Sequence, residues 1–226
     1  MKGLDFSLRQ FFIVATSINM KGVFTFLNIK MDAKLEILLS ILKKLGLQFE
    51  IEGNKLTVTS FGAECLFEPE QVLDIKGEPS VLYALCGLFA GLDYQVFFED
   101  STGSKQNFSP LILGLYDVGV RFQYSKDFTA PLSLKGTSNL IPMSHNIISN
   151  NPLLHMLFVI IGLSGIGKTR VISPFPTLDF FTKVLAILKA DVKKVDEGEI
   201  VLASLKQEVK NIITLDFNQS AKSWRL

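Results

Sequence analysis

Residues 162–169 read GLSGIGKT. The octet fits Gly-x-x-x-x-Gly-Lys-Thr, the pattern of a loop that cradles nucleotide phosphates, and its reading decides the fold. A working phosphate loop follows a strand and opens a helix, whose free N–H groups and positive end face the phosphates. Here the octet closes an apolar run, PLLHMLFVIIGLSG (152–165), and is followed by RVISPFPTL. Pro174 and Pro176 exclude a helix over that stretch, while Val171 and Ile172 favour a strand. The spacing therefore predicts a helix-to-strand turn, with a strand starting at Lys168 and Thr169. Nucleotide binding by GLSGIGKT remains the competing reading.

Working outward, the same order of segments recurs. RQFFIVATSINMKG (9–22) leads to VFTFLNI, then LEILLSILKKLG (35–46), then LQFEIEGNKLTVT. SVLYALCGLFAG (80–91) leads to LDYQVFFED, then LILGLYDVG (111–119), then VRFQYSKDFTAPLSLKG. The run at 152–165 leads to KTRVISP, then LDFFTKVLAILKA (178–190), then DVKKVDEGEIVLA. The closing residues Gly46, Gly119 and Ala190 lie 73 and 71 positions apart. In LEILLSILKKLG, Leu35, Leu38, Leu39, Leu42 and Leu45 form one apolar stripe, and Gly46 supplies a left-handed stop. LQFEIEGNKLTVT alternates about Gly53-Asn54, the composition of a hairpin. The leading helices, richer in small and apolar residues, are expected to pack inward beneath sheets and outer helices.

Composition narrows the function. The 226 residues carry 23 Lys+Arg against 22 Asp+Glu, a net charge of +1, and are 48% hydrophobic. That balance argues against nucleic-acid binding, which needs a clustered cationic excess; Lys43, Lys44, Lys189, Lys193 and Lys194 read as solvated helix faces. Cys65 and Cys86 form neither a zinc motif nor a disulfide framework, so a reducing intracellular, cytoplasmic setting is expected. His145 and His155 lack acidic or thiol neighbours at ligand spacing, so packing or capping is their expected role and no metal is expected. Leu153–Leu163 is about half of what a bilayer needs and is interrupted by His155, so no membrane span is expected. Asp5 and a poor exit site argue against a secretory leader at 1–22.

The three-unit layout resembles the enolpyruvyl transferase family, in its 5-enolpyruvylshikimate-3-phosphate synthase branch. The segments that carry the likeness are LKKLGLQFEIEGNKLTV, EPEQVLDIKGEPSVLYALCGLFAG, FFEDSTGSKQNFSPLILGLYDVGV, IPMSH with LLHMLFVIIGL, and TLDFFTKVLAILKADV. The resemblance implies an α/β (α+β) fold of three βαβαββ repeats in an inside-out α/β prism over residues 1–216, with repeats near 5–65, 66–140 and 141–213. ITLDFNQSAKSWRL resembles the passage into a second domain, giving a tail at 217–226. It further implies transfer of a carboxyvinyl group from phosphoenolpyruvate to a phosphorylated acceptor, without cofactor, in a cleft between two domains.

Carried over position by position, the family's Gly-Asp-Lys-Ser-x-x-x-Arg falls on KGLDFSLR. Arg9 keeps the arginine and Ser7 is a nearby hydroxyl, but Leu4 takes the lysine position and Asp5 the serine. A register slip would bring Lys2 closer. The Gly-Asn-x-x-Thr loop falls on KGEPS, with Gly77 for the asparagine and Ser80 for the threonine. An Arg-Pro pair falls on Lys105-Gln106-Asn107, leaving one positive charge. Ser-Ser-Gln falls near Asn150-Asn151-Pro152, and a second Arg-Pro near Phe175-Pro176. The resemblance thus implies Ser7, Arg9, Ser80 and Lys105 as substrate or anion-binding residues and several lost charge-assisted bonds, each worth about 1.5–3 kcal/mol. The leading expectation is a scaffold or interaction module without a complete active site; the alternative is a transferase completed by a partner chain. A protein partner or self-association covering the cleft-facing surface is expected, with a phosphorylated small molecule as a possible ligand.

Overall fold

The computed structural model describes residues 5–165, 167–196, 198–203 and 212–218. Three helices lead the three units: α1 (Phe6–Ile18), α3 (Pro79–Ala90) and α5 (Pro152–Ser164). Three more sit later in them: α2 (Ala33–Lys44), α4 (Ser109–Tyr116) and α6 (Thr177–Ile187). The strands are β1 (Lys21–Leu27), β2 (Gln48–Glu52), β3 (Lys55–Phe61), β4 (Leu73–Asp74), β5 (Gln95–Glu99) and β6 (Arg121–Gln123). Then come β7 (Leu132–Lys135), β8 (Ser144–Asn146), β9 (Lys168–Ile172), β10 (Val192–Asp196), β11 (Glu199–Ala203) and β12 (Ile212–Asp216).

The strands make three four-stranded sheets, ordered β12-β1-β3-β2, β4-β5-β7-β6 and β8-β9-β11-β10. Each has one parallel pair, β12 with β1, β4 with β5 and β8 with β9, continued by two antiparallel pairings. The first sheet takes its outer parallel strand from Ile212–Asp216, with Val23 opposite Ile212 and Leu27 opposite Asp216. Asn28 Nδ2 donates to Asp216 Oδ1 at 2.8 Å and secures the junction.

The leading helices are buried because they are apolar almost all round. Residues 10–18 of α1, 80–90 of α3 and 154–163 of α5 are all buried. Each large side chain so buried stabilises the fold by about 1.5–3 kcal/mol. Close approach is made by glycine: a Cβ on Gly87 would lie 3.1 Å from Ile160 Cγ2, and one on Gly91 would lie 3.2 Å from Ser164 Cβ. Hydroxyls inside the core are satisfied locally, Thr16 donating to Phe12 O at 2.7 Å and Ser17 to Val14 O at 2.7 Å.

The octet behaves as its flanks predict. It begins inside α5, and the strand β9 starts at Lys168, opposite Ala203. Gly167 has φ +101°, a turn conformation that glycine adopts without strain. Gly46 and Gly119 carry φ +96° and +95°, as their closing positions require, but in the third unit the left-handed residue is Lys189 (φ +59°) rather than Ala190. The hairpin turns at Gly53, with Glu52 opposite Lys55. No helix among the described residues is long and apolar enough to cross a membrane.

Candidate functional site

The three leading helices run parallel. At their C-terminal ends Asn19 Nδ2 donates to Ile160 O at 3.0 Å, Ser164 Oγ donates to Asn19 Oδ1 at 3.1 Å, and Gly91 abuts Ser164. Their N-terminal turns therefore share the opposite end. The strands return the chain to that end. After β1, the Lys30 N–H donates to Gln10 Oε1 at 3.3 Å, and Ser7 Oγ donates to Asp32 Oδ2. After β5, Thr102 Oγ1 would stand 3.1 Å from a Cβ on Gly77, just ahead of α3. After β9, Ser173 meets His155 of α5. Three helix N-termini and three sets of strand C-terminal loops thus converge, an arrangement that favours anions.

Of the residues singled out by sequence, Ser7 and Arg9 lie here on the first turn of α1 and Ser80 on that of α3, while Lys105 is on the exposed loop after β5. No hydrogen bond joins Ser7, Ser80 and Lys105 to one another among the described residues. Ser7 is committed to Asp32, whose other oxygen accepts from Leu35 N at 3.2 Å and caps α2, while Lys34 sits 3.0 Å from Oδ2. Partial burial alone would raise the Asp32 pKa, but the bonds from Ser7, Lys34 and Leu35 outweigh it and leave it below the ordinary carboxylate value. Asp74 follows suit: burial is opposed by Ser101 and by the N–H of Lys76, and its pKa is also lowered. Arg9 places its guanidinium 6.0 Å from the centre of the Phe180 ring. Leu4 and Lys2 lie outside the described residues.

Two buried groups at this end are unmatched. Ser80 Oγ and Gln10 Nε2 have no hydrogen-bond partner among the described residues. Sequence reading reached Ser80 but not Gln10, which looks like one more residue of an apolar helix. Asn151 caps α5, its side chain accepting from Leu153 N at 3.0 Å, and also hydrogen-bonds Tyr83, whose pKa burial raises to about 12. A cavity of about 560 Å³ between α2 and β4 reaches this end at Asp74 and Lys76 and is lined further by Lys44, Phe67, Glu68 and Glu70.

His155 is a packing residue. Its Nδ1–H donates to Asn151 O at 3.0 Å, so Nε2 accepts from Ser173 Oγ at 2.6 Å, and burial lowers its pKa. His145 stacks on Phe158 at 4.1 Å, and burial lowers its pKa to about 4 against a small opposing pull from Asp117. No group of three or more His, Cys, Asp or Glu residues suited to a metal occurs among the described residues. Lys168 of the octet is exposed and Thr169 is buried in β9, so the two do not front a helix N-terminus.

No protein-family profile matches the chain. Among curated proteins it is similar to 3-phosphoshikimate 1-carboxyvinyltransferase of Hydrogenovibrio crunogenus, 26% identical over 140 residues, covering 60% of this chain and 32% of that protein. The enzyme of the same name from Lactococcus lactis subsp. cremoris is 23% identical over 184 residues, covering 80% and 43%. The matched part is well under half the length of those relatives. In fold it is similar to EPSP synthase of Acinetobacter baumannii, with TM-score 0.80, 20% identity, and coverage of 94% of this chain and 47% of that one. It is also similar to the enolpyruvyl transferase NikO of Streptomyces tendae, with TM-score 0.73, 14% identity, and coverage of 93% and 50%. Likeness in sequence over most of the chain and likeness in fold agree: the chain is a diverged relative of the enolpyruvyl transferases, matched to about half of their fold.

Proposed function

We propose that this chain is an enolpyruvyl-transferase-like domain that serves as a scaffold, with the end where its helix N-termini converge docking onto a protein partner rather than performing catalysis alone. The observation that carries this reading is Asp32. An ionised carboxylate at the head of α2 takes the hydroxyl of Ser7 and the ammonium of Lys34. Those are two groups that a phosphorylated substrate would otherwise need. With Asp74 also ionised, the end pairs its helix dipoles with the chain's own anions, and a dianionic ligand meets repulsion as well as attraction. Titration of phosphoenolpyruvate and shikimate 3-phosphate into the purified chain, followed by calorimetry and by coupled phosphate release, should give neither heat of binding nor turnover. Turnover by the isolated chain would overturn the proposal.

A second reading rests on a separate observation. Ser80 Oγ and Gln10 Nε2 are buried at the same end without hydrogen-bond partners among the described residues, as groups awaiting a ligand would be. On this reading the chain is half of a carboxyvinyl transferase whose other cationic residues come from a companion chain. Phosphate release that appears on adding that chain, and falls with Ser80→Ala, is its signature; silence with every candidate present would dispose of it.

A further inference from the structure

The outward faces of the three sheets differ in chemistry. Across the first sheet runs a polar row, Thr214, Thr25, Thr57 and Glu50; the third carries Arg170 paired with Glu199 at 2.5 Å. The second sheet, β4-β5-β7-β6, instead presents the row Phe97, Ser133 and Gln123, with Val72 just ahead of β4 beside Phe97. Val72 is 51% exposed, Phe97 50% and the adjoining Tyr124 46%. Tyr124 stacks on Phe128 at 4.8 Å between ring centres. With Pro131 these side chains line a shallow depression of about 380 Å³, and the buried Ser133 Oγ at its base has no hydrogen-bond partner among the described residues.

Charge is distributed in order along the strands on either side of this row. Two residues toward one end lie Asp74 and Glu99, opposite each other in register. Two residues toward the other lie Gln95, Lys135 and Arg121, likewise in register. Glu99 and Arg121 make no ion pair among the described residues, and Lys135 is held by the exposed Asp93 at 2.7 Å. The face is therefore acidic, then aromatic, then basic.

We propose that this face is the contact by which two copies of the chain associate. A two-fold axis lying in the contact plane, passing near Ser133 and perpendicular to the line from Glu99 to Arg121, sets Glu99 of each copy over Arg121 of the other and brings the two Phe97 side chains against each other. That is the self-complementary pattern an isologous dimer requires. Neither neighbouring sheet offers it, because one is a threonine row and the other sets the cations Arg170 and Lys193 in one row, with Glu199 taken by Arg170. The face shares Asp74 with the end where the helices begin, but Phe97, Glu99 and Arg121 carry the inference and have no part in the role proposed for that end.

Sedimentation velocity over a wide concentration range, at low and moderate salt, tests it. The expected result is a monomer–dimer equilibrium weakened by salt, because the facing charges are screened. Phe97→Glu should raise the dissociation constant by at least tenfold, about 1.4 kcal/mol. Glu99→Lys alone should also weaken the dimer by roughly tenfold, whereas Glu99→Lys with Arg121→Glu should regain it, because the exchanged charges still face each other. The rescue distinguishes the contact from general loss of folding. A monomer at every concentration, or a dimer indifferent to all three variants, would overturn the proposal.

Discussion

Replacing Gly162 and Lys168 by alanine in turn separates a packing role for the glycine octet from a phosphate-binding role. A Cβ on Gly162 would stand 2.6 Å from Leu202 Cδ1 and 3.2 Å from Leu202 Cβ. Cδ1 could rotate away in open space, but Leu202 is fully buried in β11 and its Cβ is fixed by the strand, so α5 and the third sheet must part by a few tenths of an ångström. Overpacking of this kind costs about 1–3 kcal/mol, and alanine in place of helical glycine returns about 1 kcal/mol. The net is a loss of about 1 kcal/mol, or a fall of roughly 2–4 °C in Tm for a chain of this size. Lys168 is exposed and makes no ion pair among the described residues, so Lys168→Ala should stay within about 0.5 kcal/mol of the parent. Urea unfolding followed by circular dichroism measures both. A fluorescent ATP analogue titrated into the parent and Lys168→Ala should show no specific binding to either. A stabilised Gly162→Ala together with ATP binding lost in Lys168→Ala would refute the packing account.

Asp32→Ala should cost about 1 kcal/mol through loss of the α2 cap, with Ser7 and Lys34 released toward solvent. Because the folded pKa of Asp32 lies below its ordinary 3.8, its contribution is full above that value and fades as pH falls further, so the parent and Asp32→Ala unfolding curves should converge in acid. His145 acts in the same direction, in a higher pH window. Its folded pKa of about 4 lies below the ordinary 6.5, so the unfolded chain binds the proton first; stability is untouched above 6.5 and falls as pH drops toward 4, by up to about 3 kcal/mol. Urea titrations at pH 7 and pH 4.5 on the parent and on His145→Phe should show a smaller acid loss in the variant. Cys65 is exposed while Cys86 is buried with its thiol pKa pushed well up, so a thiol reagent should modify one site in the native protein and a second only on unfolding.

Local chemistry made much of the fold legible. The leucine stripe of α2, the Gly53 turn and the prolines ahead of α6 each act within a few residues, and each element falls where its residues place it. Lys189 was missed because a lysine in the left-handed region carries no sequence signature; it is held there by the Ala190 N–H donating to Leu185 O at 2.9 Å. The place of β12 was not legible either. Alternation in ITLDF announces a strand, but nothing local says that its neighbour is β1. At the candidate site, Ser80 and Asn151 are reached only through the family's motifs, and Asp32, which caps α2, is not singled out. That Ser7 reaches Asp32 from another helix depends on the tertiary approach of α1 to the loop before α2.

The pairing of β1 with β12 joins segments from opposite ends of the described chain. A ribosome delivers β1, its hairpin and all three buried helices before Ile212 emerges, so one edge of the first sheet is open to other strands throughout synthesis. Closing that edge is the longest-range step in folding and is expected to be among the slowest. During this interval the nascent chain is most exposed to misassociation, and a chaperone that shields the Val23–Leu27 edge would act at the point of greatest benefit.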